Sequence, residues 1–196
     1  NCDEIVIALD DKENFRKTVY PDYKSNRKKI RKPITVKPLK DYLKSKYNCV
    51  TYPGLEGDDV LGILATSKKY KNNCVILSSD KDMRTVPGLH HFIHDGSTEL
   101  VDELTANYNF MYQTLTGDMT DGYSGCPKVG GVKAQRVLAN VNKDIPSMWK
   151  AVVAEYKRVD LDEDYALTQA RLARILRTSD WDSENSKPKL WSPYDN

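Results

Sequence analysis

The stretch that decides the fold is EIVIALDD, residues 4–11, in which a β-branched apolar run ends in two aspartates. A run of this kind predicts a strand that is buried on both faces. The pattern recurs in CVILSSDKD, residues 74–82, where an apolar run again leads into acidic residues. Because the working sites of parallel sheets lie beyond the carboxyl ends of the strands, Asp10 and Asp80 are predicted to lie at one edge of a sheet.

Working outward from these runs, apolar strands alternate with amphipathic helices. Strands are predicted over residues 4–9, 48–52, 74–77 and 89–93, and helices over residues 38–47, 56–70, 107–115, 132–141, 146–158 and 162–177. This order predicts an α/β fold in which a central, mainly parallel sheet is flanked by helices. From about Asp102 the sequence becomes helical, so we predict an α/β core over residues 1–101 and a helical region over residues 102–196 that ends in an extended strap.

The composition of the 196 residues, 39% hydrophobic and 30% charged, is typical of a globular protein. No apolar run is long enough to span a membrane and the first residues do not resemble a signal peptide, so no membrane partner is expected. Four cysteines without paired spacing (Cys2, Cys49, Cys74 and Cys126) are typical of a reducing compartment, which predicts a cytoplasmic protein.

The charges are segregated along the chain, although the net charge is only +2. Residues 12–32 contain nine lysines and arginines against two acids, with aromatic side chains interleaved. This basic segment has no helical stripe, so it is predicted to be mobile and to face solvent. A basic arm beside an acidic pocket suits a protein that grips a polyanion and holds cations.

Acidic residues gather in four groups at predicted turns. They are Asp10 with Asp11; Glu56, Asp58 and Asp59; Asp80 with Asp82; and Asp118 with Asp121. Taken singly, each could be a helix-start or turn residue. If the fold brings the groups together, two charges about 5 Å apart repel by about 3 kcal/mol, and bound cations would neutralise such a cluster. All-oxygen ligands favour two Mg²⁺ or Mn²⁺ ions, which can activate water at a phosphodiester.

Four motifs resemble the flap endonuclease and 5′→3′ exonuclease family, in the same order. They are ALDD with FRKTVYPDYKSNR, EGDDVLG, SSDKDM, and TGDMTDGYSGCPKVGGVKA. The closing QARLARILR and KLWSP are most similar to the 5′→3′ exonucleases of short-tailed phages. The resemblance implies a PIN-like fold and two-metal hydrolysis of DNA at duplex 5′ ends and flaps, with RNA–DNA hybrids as further substrates. It also implies a monomer that acts in the cytoplasm of a phage-infected or prophage-bearing bacterium.

The resemblance assigns roles to individual residues. Metal ligands are expected at Asp10 (with Asp11 as the alternative), Glu56, Asp58, Asp59, Asp80, Asp82, Asp118 and Asp121. The basic segment corresponds to the arch over the active site, in which Lys24 and Arg27 would contact the scissile phosphate. Arg16 is expected to contact DNA, and Tyr23 to stack on a terminal base.

The glycine-rich turn GCPKVGGVKA, residues 125–134, resembles the family's helix–turn–helix variant for DNA. Gly130 and Gly131 would allow close approach to phosphates, and the following helix offers its N-terminus to an anion. Lys128, Lys133 and Arg136 would add positive charge. The resemblance also implies a K⁺ ion bound by carbonyl groups of this turn.

Two alternatives stay open. A PIN-like ribonuclease would keep the fold, but such domains usually have fewer acids and no glycine-rich DNA turn. A DNA-binding protein without catalysis is the other, because family members carry a further metal-binding aspartate on a strand that precedes EIVIALD, and no such strand is found in this sequence. A gel assay with Mg²⁺ or EDTA separates these alternatives.

Overall fold

The computed structural model describes residues 3–29, 31 and 33–194, without side-chain detail at Lys28 and Lys29. Cys2 and Lys32, which enter the predictions above, lie outside the described residues. Within the described ranges, no helix is long and apolar enough to cross a membrane.

The strands of the described chain form two main sheets. The first pairs β1 (Val6–Ala8) in parallel with β2 (Asn48–Val50). The second places β4 (Gly88–Phe92) between the parallel β3 (Val75–Ser78) and the antiparallel β5 (Thr98–Val101). The four predicted strands are confirmed. The prediction of one central sheet is wrong, because no backbone pairing between described strands joins β1 or β2 to the second sheet.

The described part of the chain contains seven α-helices. They are α1 (Arg16–Val19), α2 (Val36–Lys46), α3 (Gly57–Ala65), α4 (Glu103–Thr116), α5 (Gly131–Ala139), α6 (Ile145–Lys157) and α7 (Glu163–Ala173). Short 3-10 helices lie at Ser25–Lys29, Lys81–Thr85 and Thr178–Asp180, and a small antiparallel pair is formed by β6 (Trp181–Asp182) and β7 (Lys187–Pro188). Three helices begin where Asp102, Asp144 and Asp162 each accept a hydrogen bond from a first-turn backbone N–H.

Two helices end earlier than predicted. Helix α3 ends at Ala65 and not at residue 70, because the Ser67 N–H donates to the Leu64 carbonyl, three residues earlier, at 3.0 Å and the chain turns. Helix α7 ends at Ala173 and not at residue 177. There the backbone N–H of Leu176 donates to the Asp59 carboxylate at 3.1 Å, so this stretch joins α3 instead of extending α7.

Part of the basic segment is anchored in the protein, which corrects the prediction that residues 12–32 face solvent throughout, although Lys12, Lys17 and Arg27 are exposed. Its described part forms α1 and the 3-10 helix at Ser25–Lys29. Phe15, Arg16 and Tyr23 are buried, with exposed fractions of 9%, 3% and 2%. The aromatic side chains therefore anchor this segment to the body of the protein.

Two apolar clusters fix the positions of the elements that surround the acids. The larger cluster lies among α4, α5, α6 and α7. Trp191 of the C-terminal tail packs edge-on against Phe110 of α4 at 5.0 Å between ring centroids. The smaller cluster places Phe15 and Leu176 against Leu55, just before α3. Helix α3 also contacts both β1 and β3, so it links the two sheets.

Candidate active site

Asp10 lies directly beyond β1, beside the start of α3. Its Oδ1 atom accepts a hydrogen bond from the Gly57 backbone N–H at 2.9 Å. The carboxylate of Asp11 instead accepts from the Gly54 N–H at 2.8 Å, and such backbone hydrogen bonds lower the pKa of Asp11. Asp10 is therefore the residue of this pair that lies against the EGDD motif.

Asp59 is buried and fully paired, which argues against its predicted role as a metal ligand. Arg16 donates to both of its oxygens at 2.7 Å, and Leu176 donates a backbone N–H to Oδ1. The same pairing overturns the prediction that Arg16 contacts DNA, because its guanidinium is enclosed and also donates to carbonyls of Leu172 and Arg174. Burial alone would lower the pKa of Arg16, but Asp59 outweighs it and raises the pKa.

Glu56 and Asp121 lie on either side of the basic segment, although 65 residues separate them in the sequence. The Lys24 ammonium pairs with Glu56 and lies 3.3 Å from Asp121 Oδ2. Arg27 donates to Asp121 Oδ1 at 2.6 Å. Burial would raise the pKa of Glu56, but Arg16 and Lys24 outweigh it and lower the pKa. The second and the last acidic groups are thus joined through a cation of the chain itself, Lys24.

Tyr23 is not placed to stack on a DNA base, which corrects its predicted role. Its ring is buried and lies 6.5 Å from the Tyr123 ring in a stacked arrangement. Its hydroxyl points to the acids, at 2.9 Å from Glu56 Oε2 and 3.0 Å from Asp121 Oδ2.

Asp80, Asp82 and Asp118 form the opposite side of the acidic cluster. Asp80 follows β3 and caps the 3-10 helix by accepting from the Asp82 N–H at 2.8 Å. Asp82 and Asp118 line one cavity of about 370 Å³, and Gln113 of α4 donates to Asp82 Oδ2 at 2.8 Å. Burial, then repulsion from Asp80 and Asp118, raises the pKa of Asp82 to about 6.

Asp58 connects the two sides of the cluster electrostatically. Burial, then repulsion from Asp80, Asp59 and Glu56, raises the pKa of Asp58 to about 7. Asp80 therefore raises the pKa of a carboxyl on each side of it. Among the described residues, no cationic side chain lies within ion-pair distance of Asp58, Asp80, Asp82 or Asp118.

The donor atoms of the acidic cluster suit divalent ions, although the side chains do not converge into a closed binding site. Within residues 3–29, 31 and 33–194, no three His, Cys, Asp or Glu side chains converge closely enough to hold an ion. The donors are nevertheless all carboxylate oxygens, and like-charge repulsion at Asp58 and Asp82 is relieved only by protonation or by cations. Mg²⁺ and Mn²⁺ suit such donors, and Mg²⁺ keeps several of its own waters, so few protein ligands suffice.

The backbone crosses itself closely at Gly117 and Gly125 and so closes the loop that carries Asp118 and Asp121, a feature that the sequence analysis missed. Gly117 and Gly125 lie face to face with φ of 67° and 66°, and a Cβ on Gly117 would meet the Gly125 nitrogen at 2.3 Å. Gln169 of α7 accepts from the Gly125 N–H at 2.8 Å. The sequence signal was the nine-residue span between two glycines, which allows a closed loop.

The glycine-rich turn leads into α5 as predicted, but its two adjacent glycines differ. A Cβ on Gly130 would meet nothing within 4 Å, whereas one on Gly131 would lie 2.5 Å from the Tyr112 hydroxyl. Gly131 therefore serves the packing of α5 on α4. Lys128 is exposed, and Lys133 pairs with Glu155 of α6 at 2.8 Å. Arg136 is exposed on α5.

Comparisons with known proteins identify the family of the chain. A family model described as the N-terminal, resolvase-like domain of 5′–3′ exonuclease matches residues 1–110. The chain is 30% identical over 221 aligned positions to an exonuclease of Escherichia phage T7, covering 96% of this chain and 74% of that protein. An exodeoxyribonuclease of Enterobacteria phage T3 is also 30% identical, with 96% and 73% covered.

The fold is also similar to that of a solved protein. The flap endonuclease of bacteriophage T5, in a complex with DNA and metal ions, superimposes with a TM-score of 0.70 at 14% identity, covering 89% of this chain and 75% of that chain. This likeness concerns the fold alone, whereas the family match and the phage relatives concern the sequence. Taken together with the acids gathered around α3 and β3, they show that the chain belongs to the 5′→3′ exonuclease family.

Proposed function

We propose that this chain is a divalent-metal-dependent 5′→3′ nuclease that hydrolyses DNA phosphodiester bonds by a two-metal mechanism. The observation that carries the proposal is that Asp58 and Asp82 are both buried beside Asp80, and that burial, then repulsion from Asp80, raises the pKa of both. Carboxyl groups with such values near neutral pH are typical of sites that bind cations or move protons. The proposed substrates are duplex 5′ ends and flaps, with RNA–DNA hybrids as well, and the proposed acting form is the monomer.

The proposed ligands divide into two sets that share Asp80. Asp10 and Asp58 would hold one ion on the side of α3, and Asp82 and Asp118 would hold the second on the side of the cavity. Glu56 and Asp121 complete the two sets at the rim. Divalent ions, Mg²⁺ or Mn²⁺, supply charge stabilisation at the phosphoryl group and activation of the attacking water when they are bound.

Lys24 and Arg27 are the residues proposed to contact the scissile phosphate. Both side chains extend over the acids, where they pair with Glu56 and Asp121. A phosphodiester drawn to ions in the cluster meets an ammonium and a guanidinium at this rim. Both groups stabilise the negative charge that grows on phosphate oxygens during cleavage.

The helical region of residues 102–196 is proposed to grip the duplex away from the cut, as a helix–turn–helix variant. Support comes from the exposed Lys128 and Arg136 and from the N-terminus of α5, where the open side of Gly130 leaves room for a phosphate. Lys133 adds charge only if the duplex competes with Glu155 for it. A K⁺ ion at residues 125–131 is part of this proposal, and higher DNA affinity in K⁺ than in Na⁺ would support it.

The test uses 5′-labelled duplex and flap DNA with Mg²⁺ or EDTA. We expect 5′→3′ products in Mg²⁺, none in EDTA, and none from Asp80→Asn. The matched control is Asp102→Asn, because Asp102 is also an exposed helix-capping aspartate and asparagine caps equally well. DNA that is bound but uncut would indicate the non-catalytic alternative, and cleavage confined to RNA would indicate the ribonuclease.

A further inference from the structure

Tyr23 is buried beside the acids, and the role expected for it does not fit this position. Its side chain is 2% exposed, within the cluster formed by α4, α5, α6 and α7. Burial, then the charges of Glu56 and Asp121, raises the pKa of Tyr23 despite the nearby Arg16 guanidinium, so its hydroxyl keeps its proton. A base cannot reach this ring without unfolding of the segment.

The hydroxyl contacts one carboxylate from each end of the acidic cluster. Glu56 Oε2 lies 2.9 Å away and Asp121 Oδ2 lies 3.0 Å away, so the two oxygens are less than about 6 Å apart. Glu56 stands at the start of α3 and Asp121 stands in the loop closed by the Gly117–Gly125 crossing. Two carboxylates at this separation repel each other, and a shared donor reduces that cost.

Among the described residues, Lys24 is the other group that joins Glu56 to Asp121. Lys24 bridges the same two carboxylates, but its side chain is partly exposed and is proposed to contact phosphate. Arg27 reaches Asp121 alone and is 45% exposed. Tyr23 differs from both because its ring is fixed by packing and it carries no charge that DNA would attract.

We propose that Tyr23 is a positioning residue whose hydroxyl sets the spacing of Glu56 and Asp121 for binding of divalent ions. This proposal rests on the metal-dependent function proposed above. Hydrogen bonds to metal-ligating carboxylates orient the ligands before the ion arrives, and loss of such a partner typically weakens metal binding by about 10–100-fold. Tyr23 acts through the carboxylates and does not touch the substrate.

The test measures Mn²⁺ binding to the DNA-free protein by isothermal titration calorimetry, so that no step of catalysis enters the readout. Tyr23→Phe keeps the packed ring and removes only the hydroxyl. The matched control is Tyr156→Phe, because the Tyr156 hydroxyl donates to the Thr114 carbonyl at 2.6 Å in the same apolar cluster. Tyr156→Phe loses one buried hydrogen bond, and Tyr23→Phe loses the hydroxyl that two carboxylates share, each at a cost to stability of about 1–3 kcal/mol.

We expect Mn²⁺ affinity to fall by about 10–100-fold in Tyr23→Phe and to stay within a few-fold of the parent in Tyr156→Phe. Equal affinity in the two variants would overturn the positioning role while leaving the nuclease proposal intact. The Asp80→Asn variant distinguishes failure of the positioning role of Tyr23 from failure of the metal-dependent function. If the parent binds no Mn²⁺ and Asp80→Asn behaves like the parent, the metal-dependent function fails, and the role of Tyr23 fails with it.

A second readout uses the parent protein alone, in case Tyr23→Phe does not fold. An ion that draws on Glu56 and Asp121 changes the charge around the Tyr23 hydroxyl, so adding Mg²⁺ should produce a tyrosine difference spectrum in the near ultraviolet. That signal should saturate together with the calorimetric titration and should be smaller in a folded Tyr23→Phe protein, in which Tyr123 beside Asp82, Asp118 and Asp121 still responds. A parent protein that binds Mn²⁺ without any tyrosine difference signal would overturn the proposal.

Discussion

Replacing Asp58 with asparagine should stabilise the metal-free protein, and the gain should grow with pH. Burial and repulsion from Asp80, Asp59 and Glu56 raise the pKa of Asp58 from 3.8 to about 7. The folded-state pKa therefore lies above the unfolded value, and the folded protein keeps a proton that the unfolded chain has lost. The stability contributed by this proton is complete below about pH 4 and is lost as the pH rises through about 7.

The magnitude follows from the size of this shift. About three pKa units at about 1.4 kcal/mol each set an upper limit of about 4 kcal/mol on the cost of ionising Asp58. Asp58 is only partly buried, so screening by solvent reduces the expected gain for Asp58→Asn to about 1–3 kcal/mol at pH 8. Asparagine also gives up the attraction between a carboxylate and the N-terminus of α3, about 0.5 kcal/mol.

The assay is urea unfolding in EDTA at pH 8 and pH 5, with Asp164→Asn as the control. Asp164 is the second residue of α7, as Asp58 is of α3, but it is exposed. The free energy of unfolding of Asp58→Asn should exceed that of the parent protein at pH 8, and the difference should be smaller at pH 5. Asp164→Asn should show no gain in the free energy of unfolding at either pH. Mg²⁺ should stabilise the parent more than Asp58→Asn. Equal stabilities of the two variants at pH 8 would refute the crowding argument.

Three further predictions concern the arch, the acidic loop and the glycine-rich turn. Lys24→Ala should lower the single-turnover rate by about 10²–10³-fold with little change in DNA affinity, whereas Lys17→Ala, an exposed lysine of α1, should change the rate by a few-fold at most. Gly117→Ala should destabilise by more than about 3 kcal/mol in urea unfolding, because its Cβ would meet backbone at 2.3 Å. Gly96→Ala, at a similar φ of 70° but in open space, should cost about 1–2 kcal/mol. Lys128→Asn, which suits the positive φ of 63° there, should weaken DNA binding uniformly and lower the salt slope by about one unit.

The helices and strands could be predicted well because each depends on a pattern of residues that are close together in the sequence. The apolar run before Asp10 and the apolar run before Asp80 both became strands, and both aspartates follow the strand ends. The order of acids along the chain also indicated the metal chemistry of the cluster. The break between the two sheets was not visible, because pairing between strands depends on contacts distant in sequence.

The sequence failed where a charged or aromatic side chain was recruited into the interior. Arg16 looks like the other basic residues around it, and nothing local distinguishes an arginine that will pair with Asp59 inside the protein. The sequence likewise predicted that Tyr23 stacks on a base, whereas its ring is buried in the core. Both errors share one cause, which is that burial of a polar group depends on a partner far away in the sequence.

The ion pairs within the chain determine which of the acidic residues are left without a counter-charge. Of the eight predicted acidic ligands, four already have cations of the chain: Asp59 has Arg16, Glu56 and Asp121 share Lys24, and Asp10 lies 3.8 Å from Lys40. The remaining four are Asp58, Asp80, Asp82 and Asp118, which have no ion pair among the described residues. Once ionised, these four carboxylates carry four negative charges, which the two divalent ions proposed above would balance. We therefore infer a stoichiometry of two ions for each chain, and a calorimetric titration that saturates at one ion in the parent protein would contradict this charge balance.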